Sequence, residues 1–350
     1  MNQKKHYLIV GPSWIGDMIM SQSLYRLLKL HDPDCTIDVL APKSTIDLVQ
    51  FMPEVNQAML APFKRKKLGL KTRWLLGKSL RKNAYTHAIV LPNSWKSALV
   101  VFFTKIKNRI GFKGESRYFL LNELHTLDKE KLPLMIERFC ALGINKNQAL
   151  PSELPWPKLA FDQQAMNQIS QKFGFNDSDY QKLIAFCPGA EYGPAKRWPE
   201  KYFAKMAVEL IKEGYKIVIL GGPGDKSISD QITLEFNQLI ETKSLSHYLV
   251  DFVAKTNITE VVGLLSQVRA VLTNDTGLMH IASAFERPTL VIYGSSSAGF
   301  TPPLNKKAES IYLELECRPC FKRTCPLEHM NCLNKLTPEM VLAEFRKIIN

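Results

Sequence analysis

Residues 9–18 read IVGPSWIGDM, and Gly11 and Gly16 have the G-x-x-x-x-G spacing of a phosphate-cradling loop. The lysine that completes such a loop is missing. Asp17 stands in its place, followed by Met18 instead of Ser or Thr. A carboxylate in that position repels a phosphate, so the spacing is misleading. Taken on its own, Asp17 is an acid at the mouth of a strand–loop–helix turn, where capping the helix is its ordinary role.

A second set of residues lies in the other half of the chain. CPGAEYGPAKRWPE places Lys196 and Arg197 just before a helix start. GGPGDK places Asp225 after a glycine turn. TNDTGLMHIAS places Asp275, Thr276 and Gly277 at another helix start, with His280 one turn in. Backbone N–H groups at helix N-termini suit a pyrophosphate, and an acid at a strand end suits ribose hydroxyls. Each residue has a plainer role: Asp275 as a helix cap, Lys196 as a surface lysine, His280 as a core histidine. Their shared position at one end of one sheet points to a nucleotide-type ligand.

The elements that must hold these residues alternate. HYLIV (6–10), CTIDVLA (35–41), HAIVL (87–91) and NRIGF (108–112) read as strands. Met18, Met20, Leu24, Leu27 and Leu28 recur at helical spacing, and SWKSALVVFFTKI (94–106) reads as a buried helix. The pattern returns with KLIAFCPGAE (182–191), YKIVILGGPGD (215–225), RAVLTND (269–275) and RPTLVIYGSS (287–296). A helix over 199–214 begins near Pro199 and stops at Gly214. Alternating strands and helices imply parallel sheets with right-handed crossovers. LPSELPWPKL (150–159) reads as a stiff linker. The domains are therefore expected at 1–154 and 155–335, with a helix over about 336–350 packing back on the first.

The charge is one-sided. Residues 1–150 carry 24 Lys and Arg against 11 Asp and Glu, a net +13, and the remainder is neutral. Residues 64–82 hold nine cations and no acid, with Leu68, Leu70, Trp74, Leu75 and Leu76 among them. Such a run is either a solvated surface, a buried helix with a basic rim, or a surface for an anionic partner. Nucleic acid fits poorly, because the second half is neutral and no RRM, KH or helix-turn-helix signature is present. An anionic membrane surface fits better. The longest apolar run, ALVVFF (98–103), is too short to span a bilayer. The N-terminus lacks the apolar stretch of a signal peptide. The chain therefore reads as cytoplasmic, with its seven cysteines reduced. Cys317, Cys320, Cys325 and Cys332, with His329, are spaced C-x2-C-x4-C-x6-C, and only the first pair is zinc-like. A packed, reduced cluster is expected there, not a metal site.

The motifs GDMIM, PGA…KRWP, LGGPGD and NDTGLMHIA occur in the order and at the intervals of glycosyltransferase family 9, which this sequence resembles over most of its length. The tail CRPCFKRTCPLEHMNC resembles members that act on the inner core of lipopolysaccharide. The resemblance implies an α/β chain of the GT-B fold: two Rossmann-like, doubly wound domains facing across a cleft, acceptor on the first and donor on the second. It implies inverting transfer of L-glycero-D-manno-heptose from ADP-heptose to the first heptose of the inner core, without a cofactor or divalent metal. Asp17 then resembles a general base, with Gly16 letting the backbone approach the sugars. Lys196 resembles the diphosphate lysine. Gly189, Asp225, Asp275, His280 and the backbone N–H groups of Thr276, Gly277 and Leu278 fall on the donor side. Lys64, Arg65, Lys66 and Lys67 would face the acceptor and the membrane. The implied partners are a lipopolysaccharide precursor lipid and the anionic inner face of the inner membrane, met by a monomeric, peripheral enzyme. A heptosyltransferase acting one sugar earlier or later is the alternative within the family. A nucleotide-sugar epimerase leaves the basic half without a use.

Overall fold

The computed structural model describes residues 4–63 and 67–349. It divides into two compact units, one ending at Ala160 and the other beginning at Phe161. In the N-terminal unit the chain runs β1 (His6–Val10), α1 (Ile15–His31), β2 (Thr36–Pro42), α2 (Ile46–Val49) and β3 (Gln57–Ala61). It continues through α3 (Leu70–Leu80), β4 (His87–Val90), α4 (Trp95–Thr104), β5 (Asn108–Phe112), β6 (Glu123–His125) and α5 (Met135–Cys140). In the C-terminal unit it runs α6 (Gln163–Phe173), α7 (Asp177–Tyr180), β7 (Leu183–Cys187), α8 (Glu200–Lys212), β8 (Lys216–Ile219) and α9 (Lys226–Leu239). There follow β9 (Leu249–Asp251), α10 (Ile258–Leu265), β10 (Ala270–Asn274), α11 (Gly277–Ala284), β11 (Thr289–Ile292), β12 (Ala308–Ile311), α12 (Asn331–Asn334) and α13 (Pro338–Ile349).

Each unit carries one parallel six-stranded sheet. The orders are β3-β2-β1-β4-β5-β6 and β12-β11-β10-β7-β8-β9. In both, the chain builds outward on one side of its first strand and then returns to that strand's other side. The strand order therefore reverses between β1 and β4, and again between β7 and β10. The carboxyl ends at such a reversal diverge into a crevice where ligands of open α/β sheets bind. The central strands are apolar almost throughout, since helices cover both faces. Every residue of β7 and β10 is buried.

Two expectations of domain structure change. The linker predicted to leave the first domain after 154 stays attached to it to Ala160. Gln22 of α1 clamps Lys158 by its backbone, donating to its carbonyl at 2.7 Å and accepting from its N–H at 3.0 Å. Ala160 N–H donates to the Phe51 carbonyl at 2.9 Å. The C-terminal helix belongs to the core of the second unit. Val341, Leu342, Phe345 and Ile349 of α13 join Trp198, Phe203 and the strands of the second sheet in one apolar core.

Candidate active site

In the C-terminal unit, the loop after β7 and the loop after β10 flank the reversal of strand order. They carry the two charged residues that meet there. Lys196 Nζ lies 2.5 Å from Asp275 Oδ2, with side chains 17% and 5% exposed. A pair this shielded is held far more strongly than one in open solvent. Asp275 therefore does not cap α11. Thr276 does, its Oγ1 accepting from Leu278 N–H at 3.1 Å. Leu278 N–H is thus engaged within the loop, which leaves Thr276 and Gly277 as the N–H groups of the expected set without that commitment.

A ring of contacts fixes the pair. Asn274, the last residue of β10, is fully buried. Its Nδ2 donates to the Pro188 carbonyl at 2.6 Å, and its Oδ1 accepts from Trp198 N–H at 3.1 Å. Trp198 follows Lys196 by two residues, and Asn274 immediately precedes Asp275. One amide therefore ties both ends of the β7 loop to the strand that presents the acid. In the sequence TND, only Asp275 stands out, because an Asn at a strand end looks like ordinary turn chemistry. Asn274→Ala leaves a buried N–H and a buried carbonyl without partners. The expected result is a loss of roughly 1–3 kcal/mol for each orphaned group with a drop in turnover, read from denaturant melts and initial rates. Wild-type stability and rate together would show that the amide holds nothing.

Asp225 lies where two glycines make room for it. A Cβ on Gly189 would fall 2.4 Å from the Asp225 carboxylate, and one on Gly221 would fall 3.0 Å from its Oδ2. Its Oδ2 accepts from Gly222 N–H at 3.0 Å. Burial pushes the Asp225 carboxyl above the usual range, opposed by that N–H and by Arg197. Gly189 therefore serves the close approach of two loops, and nothing larger fits.

His280 is 5% exposed, and burial pushes its imidazole down from 6.5 to about 4, against the pull of Asp275. It is neutral at physiological pH. The unfolded chain binds a proton below about 6.5 that the folded chain refuses until about 4. This contribution to stability is full above the upper value and is lost as pH falls through the window, on the order of 3 kcal/mol in all. His280→Gln is expected to flatten the acid limb of stability against pH. Parallel acid limbs for variant and wild type would remove His280 from that role.

The cysteine-rich tail is strapped onto the lysine loop. Ala195 N–H donates to Arg323 O at 3.1 Å and Tyr192 Oη to Phe321 O at 2.7 Å, while Ser295 N–H, just past β11, donates to Ala195 O at 3.0 Å. A Cβ on Gly193 would fall 2.5 Å from Arg323 O, so the two segments touch backbone to backbone. Cys317, Cys320, Cys325 and Cys332 are free and half-exposed, and with His329 they line one small cavity walled by Ala195. Burial, then the neighbouring thiols, push the Cys332 thiol up. Among the described residues no three His, Cys, Asp or Glu side chains are gathered to hold a metal ion.

In the N-terminal unit, Asp17 is the third residue of α1, half-buried in its first turn, and Gly16 precedes it. Asp17 does not hold the N-cap position expected of it: Trp14 does, and it offers no side-chain cap. An acid here complements the helix dipole instead. The loop is braced from the β2–α2 turn, with Thr45 Oγ1 donating to Pro12 O at 3.1 Å and Ser44 Oγ to Ser13 O at 3.0 Å. Across the β1/β4 reversal, the buried Arg117 guanidinium gathers the Pro92 and Phe112 carbonyls and the Asn93 side chain. Nothing in the sequence singles out Arg117, since a cation in a basic half does not stand out. Lys67 is exposed, while Lys64, Arg65 and Lys66 lie outside the described residues.

Residues 73–331 match the family described as glycosyltransferase family 9 (heptosyltransferase). The chain belongs to glycosyltransferase family 9. It is 42% identical to lipopolysaccharide heptosyltransferase 2 of Escherichia coli, covering 98% of both chains. It is also 42% identical to lipooligosaccharide heptosyltransferase 2 of Haemophilus influenzae, over 98% of this chain and 99% of that one. The solved ADP-heptose lps heptosyltransferase II of E. coli superposes with a TM-score of 0.87 at 39% identity, covering 99% of this chain and 98% of that one. The two sheets are therefore those of a GT-B glycosyltransferase. A family 9 glycosyl transferase from Veillonella parvula shares the fold at 17% identity, with a TM-score of 0.83 and coverage of 100% and 98%. No helix among the described residues is long and apolar enough to cross a membrane.

Proposed function

We propose that this family 9 enzyme transfers L-glycero-D-manno-heptose from ADP-heptose, with inversion, to the first heptose of the lipopolysaccharide inner core. The observation that carries the reading is the shielded Lys196–Asp275 pair at the strand-order reversal of the second sheet. Charge grows on the ADP diphosphate as the glycosidic bond breaks, and a fixed cation with little reorganisation to do stabilises it most. Lys196 meets the diphosphate, assisted by N–H groups of Thr276 and Gly277 at the start of α11. Asp275 holds the lysine and then the heptose hydroxyls. Asp225 accepts from the ribose. Asp17 takes the proton from the attacking hydroxyl. No divalent metal or other cofactor takes part, because Lys196 and the helix N-terminus supply the charge a metal would.

The acceptor is a phosphorylated lipid, so the enzyme works as a peripheral monomer on the anionic inner face of the inner membrane. The basic N-terminal unit supports this placement, and nucleic acid is not a partner. Purified protein given ADP-heptose and either Kdo2-lipid A or its mono-heptosylated form tests the acceptor by product mass. Heptose added only to the mono-heptosylated acceptor is the expected result. Addition to Kdo2-lipid A alone would make this the enzyme of the preceding step.

A further inference from the structure

Helix α3 is built the wrong way round for an ordinary surface helix. Its buried positions are Arg73, Gly77 and Leu80. Its outward positions, Leu70, Lys71, Trp74, Leu75 and Lys78, recur at helical spacing and share one face. Leu70, Trp74 and Leu75 are 49%, 43% and 48% exposed, while Arg73 is 6% exposed. The inversion is locked in place. Arg73 Nε donates to Leu68 O at 2.7 Å and its Nη1 to Lys96 O at 2.8 Å, and its guanidinium lies 3.8 Å from the Phe63 ring centre. A Cβ on Gly77 would fall 2.5 Å from Phe103 Cβ and 2.8 Å from Val100 O of α4, so α3 sits on α4 at the closest possible approach. The helix cannot roll to hide its leucines and tryptophan without breaking these contacts.

Charge selects what covers this face. From residue 55 to residue 114 the chain has 14 Lys and Arg and no Asp or Glu. Lys78 Nζ lies 5.5 Å from the Trp74 ring centre, so a cation borders the most amphipathic side chain of the face. A second copy of so basic a surface is repelled, whereas an anionic lipid surface is attracted over a Debye length. Apolar side chains ringed by lysines, on a helix that does not span, are the pattern of an element lying in the headgroup–acyl boundary.

We propose that the outward face of α3 is a bilayer-insertion face, with Leu70, Trp74 and Leu75 entering the boundary of an anionic membrane and Lys71 and Lys78 meeting its headgroups. It deepens the proposed function, resting on its lipid acceptor for a biological reason, but its test needs neither donor nor acceptor. The full chain and the variant Leu70→Gln/Trp74→Gln/Leu75→Gln are mixed with phosphatidylglycerol vesicles and with phosphatidylcholine vesicles, and binding is read by co-sedimentation at low and high salt. Circular dichroism confirms that the variant is folded. The wild type is expected to bind phosphatidylglycerol alone at low salt and to keep a residual binding at high salt. The variant, with all its cations, is expected to bind about 10–100-fold more weakly and to lose the residual binding. Wild-type and variant curves that coincide at both salts would overturn insertion. So would a dimer seen by sedimentation that the variant abolishes with vesicle binding unchanged, since the face would then belong to a second copy. Turnover on a deacylated, water-soluble acceptor should be the same for both proteins. A failure of transfer by both would count against the proposed reaction and leave the vesicle result standing.

Discussion

Asp17→Asn is expected to fold normally, to bind ADP as the wild type does, and to turn over about 10²–10⁴-fold more slowly, the usual range for a positioned base. The substitution keeps shape and removes the ability to accept a proton. Asp17 does not occupy the N-cap position of α1, which is Trp14; it sits two residues inside the helix. Losing a charge from the first turn costs about 0.3–1 kcal/mol. Stability and activity therefore separate, the first nearly unchanged and the second nearly lost. Asp17→Ala is expected to lose similar activity. An Asn variant within a few-fold of wild-type turnover would take Asp17 out of the mechanism.

Lys196→Ala is expected to lower kcat by about 10²–10³-fold, the loss seen when one preorganised donor is removed. KM should move less if, as proposed, Lys196 meets charge that grows on the diphosphate as ADP departs. Lys196 also has a structural duty, since its removal leaves the nearly buried Asp275 without its cation. The single variant should therefore lose stability as well, on the order of 1–3 kcal/mol. Lys196→Ala/Asp275→Asn should recover most of that stability and none of the turnover. Recovery of both would show that Lys196 serves only to hold the loop. A rise in KM alone would make it a ground-state binder.

How legible the molecule was depended on where its strands lie. The strands read from sequence, β1, β2, β4, β5, β7, β8, β10 and β11, are the interior ones, whose burial on both faces leaves mostly apolar runs. The strands not read, β3, β6, β9 and β12, are the four sheet edges. QAMLA and AESI are half-covered and lose the apolar signal, and ELH and LVD are only three residues long. The linker ended late because Gln22, in the middle of α1, reaches residues far along the chain, which no local pattern reports. At the site, charged residues after strong strands were legible from type and position, and the Lys196–Asp275 contact joins two of them. The uncharged residue that fixes their spacing, Asn274, was not, because its role is made by partners 76 and 86 residues away. The outward tryptophan and leucines of α3 were seen among cations, but only the packing of Arg73 and Gly77 shows which face they occupy.

Asp17 and Lys196 are proposed to carry an inverting, metal-independent heptosyl transfer from ADP-heptose. The most direct measurement is the mass and anomeric configuration of the product formed from ADP-heptose and mono-heptosylated Kdo2-lipid A, in the presence of EDTA. One added heptose, with the anomeric configuration opposite to that of the donor and at a rate EDTA leaves unchanged, is the predicted result. A product that retains the donor's configuration, or a reaction that stops in EDTA and resumes with added Mg²⁺, would contradict it.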